Sequence, residues 1–304
     1  CHMKKLIMLL IACITILSLF GCADSQQNKE PEDTAKIEVT DIKGRSIALD
    51  KIPQRIVSLS PSSTEILFAL GAGDRVVGVT SYCDYPEEAK KVEKIGDYDE
   101  PNMELIRKVQ PDVVLAGHVK EETAEALERM GIPVIVTEAE AFDTIYHSIK
   151  LIGEVTGTAA EAEAIVNGMK NKIAEIEANT KDKEKPRVFY LVWKDPLFTA
   201  GSKTFINDVI KAAGGINVAE KVEGWANYSA EEMIKDNPDM LIAALHSTDE
   251  GMTREDLSGD RLFSLLECVK QGKVHIMPDD NIISRPGPRI VQAIEDMSKV
   301  LHGE

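Results

Sequence analysis

One long amphipathic helix divides this chain into two stretches of similar pattern. Behind Thr158, apolar residues recur at helical spacing and form one stripe on an otherwise polar segment: Ala162, Ile165, Val166, Met169, Ile173 and Ile176. Thr158 and Glu161 have the spacing of a capping box, and a charged run before Pro186 ends the helix. Its length is about 33 Å at 1.5 Å per residue. We therefore predict a linking helix at 158–180 between two lobes, at 38–157 and 187–304.

The first 37 residues are predicted to lie outside the fold. Cys1 and His2 look like the remnant of a tag, and two lysines then precede an apolar run that is too short for a comfortable membrane span. The run ends in Leu-Phe-Gly-Cys, which resembles the lipobox of bacterial lipoprotein signal peptides. We therefore assign 1–22 to tag remnant and signal peptide, with Cys22 as the lipidation site. The polar residues 23–37 form a flexible tether, and the protein is expected outside the cytoplasm, anchored to the cell membrane.

Charge and cysteine usage limit the partners of this chain. The formal net charge is −16 and the pI is about 4.9, so the field of the protein repels nucleic acid. Cys83 and Cys268 fall in different predicted lobes, and a bond between them would lock the lobes together. We expect two free, buried thiols and a monomer that binds no nucleic acid.

Strand and helix patterns alternate in both predicted lobes. A buried-strand pattern at 55–60 opens the first lobe, and another at 188–193 opens the second. This alternation predicts the α/β class, with a doubly wound, parallel sheet in each lobe. Ligands of such sheets bind beyond the carboxyl ends of the strands. The loops of both lobes should therefore line one cleft.

Aromatic residues concentrate in these loops. Both tryptophans and four of the six tyrosines lie there: Tyr82, Tyr85, Tyr98, Tyr228, Trp193 and Trp225. Tyr190 falls in the middle of a predicted strand and is assigned to the core. Any one of these rings could pack within its own lobe, but the set favours a cleft for a large, flat, partly apolar ligand with few charges on its walls.

One segment of the first lobe recurs in the second. ELIRKVQPDVVL at 104–115 aligns without a gap to EEMIKDNPDMLI at 231–242, and a polar cap precedes each helix. The repeat predicts a pseudo-two-fold arrangement that places Glu104 and Glu231 in equivalent positions. Both lie in a first helical turn, where the helix dipole alone favours a carboxylate. The alternative is a symmetric pair of anions that contacts a symmetric partner.

Signatures of catalysis are absent from the sequence. The segment 201–204 resembles the end of a phosphate-binding loop but lacks its glycines, and the histidines do not have the spacing of a metal site. His118 and His246 end matching strands, and either could be an axial ligand of a metal-containing molecule, although packed or surface histidines are commoner. We predict no catalytic residue and no metal site, which leaves a secreted metal-dependent enzyme as the less favoured class.

Four segments carry a resemblance to a known family: RIVSLSPSSTE at 55–65, SYCDYP at 81–86, PLFTAG at 196–201 and RPGPR at 285–289. They resemble the extracytoplasmic substrate-binding proteins of ABC importers that carry cobalamin, haem or ferric siderophores. Tyr82 and the Asp-Tyr-Pro that follows Cys83 are most similar to the cobalamin-binding branch. The resemblance implies two α/β lobes bridged by one long helix, a ligand between them, and delivery to a membrane permease with its ATPase.

The resemblance also implies roles for residues of both lobes. Tyr82, Tyr98 and Trp225 match aromatic residues that stack against a corrin, and Glu104 and Glu231 match two glutamates that contact arginines of the permease. Together with the cleft loops, this gives the predicted ligand-binding set: Tyr82, Asp84, Tyr85, Tyr98, Trp193, Phe198, Trp225, Asn281 and Arg285.

Three positions depart from the cobalamin-binding pattern. Gly117 and Tyr98 each stand where a relative has tryptophan, and Asn281 replaces an aspartate. The expected ligand is a cobalamin, bound as cargo without a resident cofactor. Haem or a ferric siderophore is the alternative, in which a tyrosine or histidine contacts the metal or Arg285 pairs with an anionic group.

Overall fold

Two separate sheets, one before and one after a long helix in the chain, form the framework of the protein. The computed structural model describes residues 36–98, 100–243 and 253–303. Its strands are β1 Ile37–Thr40, β2 Ser46–Leu49, β3 Ile56–Ser58, β4 Val76–Val79, β5 Val113–Ala116, β6 Val134–Val136, β7 Arg187–Trp193, β8 Phe198–Ala200, β9 Ile216–Asn217, β10 Trp225–Asn227, β11 Met240–Ala243 and β12 Val274–Ile276. Its α-helices are α1 Pro61–Ala69, α2 Met103–Val109, α3 Glu121–Arg129, α4 Phe142–Thr156, α5 Ala159–Thr180, α6 Phe205–Ala212, α7 Ala230–Asp236, α8 Arg254–Gly259, α9 Glu267–Lys270, α10 Asp280–Ser284 and α11 Ile290–His302.

The N-terminal lobe is built on a parallel sheet with the strand order β4-β3-β5-β6. Strands β3, β5 and β6 are buried along their whole length, because helices or turns cover both faces of the sheet. Strands β1 and β2 form a separate antiparallel hairpin. The predicted alternation of strand and helix is confirmed in this lobe.

The sheet of the C-terminal lobe is mixed. Its order is β10-β8-β7-β11-β12, with β9 also paired to β7, and strands β8 and β10 run antiparallel to their neighbours. The sequence predicts loops where β8 and β10 lie. Each of these strands has only three residues, which is too short a run for a period of two to stand out from the surrounding sequence.

Helix α5 coincides with the predicted linking helix. Its apolar stripe is buried, apart from Ile165, which is partly exposed. The helix packs against α4 of the N-terminal lobe and α11 of the C-terminal lobe, and Lys172 forms a 3.0 Å ion pair with Glu295 of α11. One hydrophobic cluster therefore continues from the first sheet through α5 to the second.

The predicted capping box of α5 is wrong. The side chain of Thr158 caps no backbone N–H of α5, and its hydroxyl lies 2.8 Å from that of Thr156 instead. The reason is the tight corner between the helices, where Gly157 adopts a left-handed conformation with φ of 69° and brings Thr158 back against the end of α4.

The end of the chain also differs from the sequence prediction. One helix is predicted over 261–270, whereas the structure has a 3₁₀ turn at Phe263–Leu265 and the short helix α9, separated by the extended residue Leu266. Helix α8 is not predicted. Cys83 and Cys268 are buried and unpaired, as expected.

The sequence repeat has the same hydrogen bonds in both lobes. Asp112 receives the N–H of Arg55 on Oδ2 at 2.9 Å, and Asp239 receives the N–H of Arg187 on Oδ2 at 2.8 Å. In return, the N–H of each aspartate donates to the carbonyl of its arginine, at 2.7 and 2.8 Å. Each pair fixes the end of a short helix to the start of β3 or β7, the first strand in chain order of its sheet. The repeat in the sequence is therefore also a repeat in the structure.

Two predicted sites lie outside the described residues, namely the lipidation site at Cys22 and the histidine at 246. Within the described part of the chain, no helix combines the length and the hydrophobicity that a membrane span requires.

The close packing of α4 on α5 gives a stability prediction. A Cβ atom on Gly153 would lie 2.6 Å from the Cβ of Ala162, so we expect Gly153→Ala to lower the free energy of unfolding by about 1–3 kcal/mol. Urea denaturation measures the change. The control is Gly168→Ala in α5, where the new methyl group would meet nothing within 4 Å and the better helix propensity should add about 0.5–1 kcal/mol. If both substitutions changed the free energy of unfolding in the same direction, the close packing of α4 on α5 at Gly153 would be contradicted.

Candidate ligand-binding site

A cavity of about 760 Å³ lies between the two sheets. In the N-terminal lobe its walls come from residues that follow parallel strands, namely Ser60 after β3, Tyr82 after β4 and Gly117 after β5. In the C-terminal lobe they include Trp193, the last residue of β7. This is the position that the carboxyl-end rule predicts for a ligand of two facing α/β sheets.

Aromatic rings from both lobes face this cavity. Tyr82 is 56% exposed, and Trp193 and Trp225 are each 41% exposed, so these rings are not covered by their own lobes. The indole N–H of Trp193 donates to the carbonyl of Asp195 at 2.9 Å, and Trp225 packs edge-on against Phe205 with the ring centroids 5.4 Å apart. These contacts hold the two indole rings in place while both stay partly exposed.

Tyr98 and Gly117 form one part of the wall together. A Cβ atom on Gly117 would lie 3.0 Å from the Tyr98 hydroxyl oxygen and 3.1 Å from Oγ of Ser60. Glycine at 117 therefore leaves the space that the Tyr98 hydroxyl occupies. Two of the departures noted in the sequence thus belong to a single packing arrangement.

Arg285 connects the two lobes at the cavity wall. Its Nη1 donates to Oδ1 of Asp84 at 2.6 Å and to Oε1 of Glu65 at 3.2 Å. Its Nη2 donates to the carbonyl of Tyr82 at 3.2 Å and to Oδ1 of Asn281 at 2.7 Å. Partial burial raises the pKa of Asp84, but the hydrogen bond and charge of Arg285 outweigh it and hold that pKa below its usual value. Both terminal nitrogens of Arg285 are thus already engaged.

Glu65 also binds a second arginine of the C-terminal lobe. Arg289 donates from Nε to Oε2 at 2.8 Å and from Nη2 to Oε1 at 2.7 Å, a bidentate pair. The hydrogen bond to Glu65 raises the pKa of Arg289. The guanidinium also lies 3.8 Å from the centroid of the Tyr85 ring. We call Glu65, Asp84, Arg285 and Arg289 the interlobe charge cluster.

A further contact between the lobes involves a helix N-terminus. The N–H of Phe142 at the start of α4 donates to Oδ2 of Asp208 on α6 at 3.0 Å. Burial raises the pKa of Asp208, because it disfavours the charged carboxylate. The hydrogen bond gives the exposed end of α4 a partner from the other lobe.

Six of the nine predicted ligand-binding residues line the cavity: Tyr82, Tyr98, Trp193, Trp225, Asn281 and Arg285. The other three lie elsewhere. Asp84 belongs to the interlobe charge cluster and the Tyr85 ring packs against Arg289 of that cluster. Phe198 lies on β8, which pairs with β7 and β10. His118 also lies outside this lining. In the described part of the chain no group of histidine, cysteine and carboxylate side chains could hold a metal ion.

Several lining residues were missed from the sequence. Tyr190, assigned there to the core, lines the cavity although it is only 3% exposed, and burial together with the charge of Asp280 raises its pKa. Glu138 and Glu140 follow β6, so the rule that places Tyr82 beyond the end of β4 also places them at the cavity, although they are not aromatic. With Asp97 and Asp280 they give the wall more charge than predicted.

Glu104 and Glu231 are exposed on two equivalent helices. Each is the second residue of its helix. The Asn102 side chain caps α2 by accepting the N–H groups of Glu104 at 3.0 Å and Leu105 at 3.1 Å, and the Ser229 hydroxyl caps α7 by accepting the N–H of Glu232 at 3.3 Å. The helix dipole explains a carboxylate at both places, and the geometry also presents both carboxylates to solvent.

The fold and the position of the cavity agree with a comparison of the sequence with known families. The pattern of the periplasmic binding proteins matches residues 56–281. The chain belongs to this family. The resemblance found in the four sequence segments is therefore confirmed at the level of the family.

Relatives extend the comparison over most of the chain. An uncharacterized ABC transporter substrate-binding lipoprotein of Bacillus subtilis is 34% identical, over 97% of this chain and 95% of its own. A cobalamin-binding protein of Halobacterium salinarum is 30% identical, over 91% of this chain and 77% of its own. The crystal structure of a possible iron-binding, periplasmic solute-binding protein of Staphylococcus epidermidis has a TM-score of 0.72 and 32% identity, and covers 83% of this chain and all of its own (100%).

The interlobe charge cluster predicts a large effect of one neutral substitution. In Glu65→Gln, Arg289 loses its carboxylate partner and Arg285 loses one of two, so we expect the free energy of unfolding to fall by about 3 kcal/mol in urea denaturation. Glu163→Gln is the control, because the surface pair of Glu163 with Lys150 should contribute less than about 1 kcal/mol. A similar small change in both variants would show that the cluster does not hold the lobes together.

Proposed function

We propose that this protein is the substrate-binding component of an ABC importer and captures a cobalamin-like corrinoid between its lobes. The observation that carries this proposal is the cavity of about 760 Å³ with exposed aromatic faces from both lobes. The protein acts outside the cytoplasm as a monomer, held to the membrane by a lipid on Cys22. Its relatives in Bacillus and Halobacterium, an ABC substrate-binding lipoprotein and a cobalamin-binding protein, support the transport role and the ligand.

The chemistry of the cavity suits a corrin. Its volume lies within the range of about 300–1,000 Å³ that small-molecule sites occupy. A corrin is a broad, flat ring with apolar faces, and the exposed rings of Tyr82, Trp193 and Trp225 offer surfaces for stacking. Amide side chains surround the corrin, and Ser60 and Asn281 supply groups on the wall that can form hydrogen bonds with them.

An iron-containing ligand is the second candidate. The relative from Staphylococcus described as possibly iron-binding favours it, and so do the tyrosine hydroxyls of the cavity, which are potential ligands of ferric iron. In this alternative the cargo is haem or a ferric siderophore, and the importer role stays the same.

Calorimetric titration separates the two ligands. Residues 36–304 form one compact unit, so residues 23–304 without the predicted signal peptide are suitable for the experiment. We expect one-to-one binding of cyanocobalamin, and a dissociation constant at least about tenfold higher in Trp225→Ala, because a stacking surface is lost. Leu265→Ala removes an exposed apolar side chain outside the cavity and should bind as the wild type does. Binding of haemin without cyanocobalamin would move the proposal to the second candidate.

We further propose that Glu104 and Glu231 dock the loaded protein onto arginines of the permease. In the double variant Glu104→Lys/Glu231→Lys we expect ligand uptake by cells to be lost, because like charges would then face each other. Ligand affinity should stay unchanged, since neither residue lines the cavity. Glu122→Lys, an exposed charge reversal at the same position of α3, is the control and should transport normally. Loss of affinity in the double variant would contradict the docking role.

A further inference from the structure

The charges of the cavity wall decide which ligands it can accept. Arg285 is the one basic residue among the described residues that line it. Two carboxylates already neutralise it, those of Glu65 and Asp84, and its remaining contacts are to a carbonyl and to Asn281. An anionic ligand could bind the terminal nitrogens of Arg285 only by displacing one of these four partners, and it would then compete with carboxylates that are already in place.

The other charges on the wall are negative. Four carboxylates line the cavity: Asp97, Glu138, Glu140 and Asp280. The nearest basic partner of Glu138 is Lys43, at 3.9 Å, and both side chains of that pair are substantially exposed. The internal stretches that the structure does not describe, residue 99 and residues 244–252, contain no lysine or arginine in the sequence.

We infer that the cavity selects ligands without net negative charge, and that Glu138 and Glu140 are the residues that determine this selection. The inference rests on the proposed function and specifies the ligand class. A ligand anion would lose its hydration next to several fixed carboxylates, which is unfavourable in a partly enclosed cavity. Haem with its propionates and ferric catecholate siderophores carry such charges. A cobalamin has no net negative charge, and its amide N–H groups can donate to carboxylates.

Glu138 and Glu140 are the carboxylates that can be changed with the least disturbance. They lie on one loop between β6 and α4, Glu138 is half-exposed and Glu140 is exposed. Asp280 is buried, and Oδ1 of Asp97 accepts the N–H of Tyr98 at 2.6 Å, so substitution of either would alter the wall itself. Substitution of Glu138 and Glu140 by glutamine therefore changes the charge of the cavity wall while its shape is kept.

The test compares two ligands of nearly equal shape. Cyanocobalamin monocarboxylates carry one carboxylate where cyanocobalamin has a peripheral amide, and each purified isomer is titrated against the wild type and Glu138→Gln/Glu140→Gln. In the wild type, the dissociation constant of at least one isomer should be about tenfold higher than that of cyanocobalamin. The ratio of these two dissociation constants should fall below about threefold in the variant, and also in the wild type at high salt. Glu121→Gln/Glu122→Gln makes the same charge change on α3, outside the cavity, and should keep the ratio of the wild type.

Each outcome supports or overturns the inference. Equal affinity of the wild type for cyanocobalamin and every monocarboxylate overturns it, and so does a ratio that the two cavity substitutions leave unchanged. If cyanocobalamin does not bind at all, the corrinoid proposal fails by itself and haemin carries the charge test. Haemin binding to the wild type then overturns charge selection, haemin binding only to the cavity variant supports it, and binding to neither overturns the role of the two glutamates.

Discussion

The buried carboxylate of Glu65 sets the geometry between the two lobes. It belongs to α1 of the N-terminal lobe, and its partners Arg285 and Arg289 lie 220 and 224 residues later in the chain. A buried carboxylate is unfavourable without cations, so the folded chain must bring the 285–289 segment against α1. Because Arg285 also contacts the carbonyl of Tyr82 and the side chain of Asn281, the same requirement positions two residues of the cavity wall.

This use of Arg285 changes how the cavity is understood. An arginine on a binding wall usually indicates an anionic ligand, and the sequence leaves that interpretation open. In the structure the guanidinium is part of the scaffold, and the accessible recognition groups are aromatic faces, hydroxyls, an amide and carboxylates. Recognition then depends on stacking and on amide donors of the ligand. The position of a charged residue in a sequence motif therefore says less about the charge of the ligand than the number of hydrogen bonds that the residue already makes within the protein.

Local patterns in the sequence were enough for the linking helix, the α/β alternation and the repeat around Asp112 and Asp239. These features depend on periodicity and on neighbouring residues, and the family resemblance that they accompanied is confirmed. The contacts of Glu65 could not be predicted, because no local signal connects residues 220 positions apart. Tyr190 lies in the core as predicted, but a strand pattern indicates burial and does not say whether a buried ring also borders a cavity.

The hydrophobic cluster that passes through α5 has a consequence for folding. Each lobe has a hydrophobic cluster of its own, but the largest cluster is shared, because α4 and α11 each bury apolar residues against α5. Separation of the lobes would expose that surface to water, at a cost that grows with its area. The two lobes should therefore unfold in one cooperative transition rather than one after the other, and a chain cut in the charged segment 181–186 should remain assembled as two associated fragments.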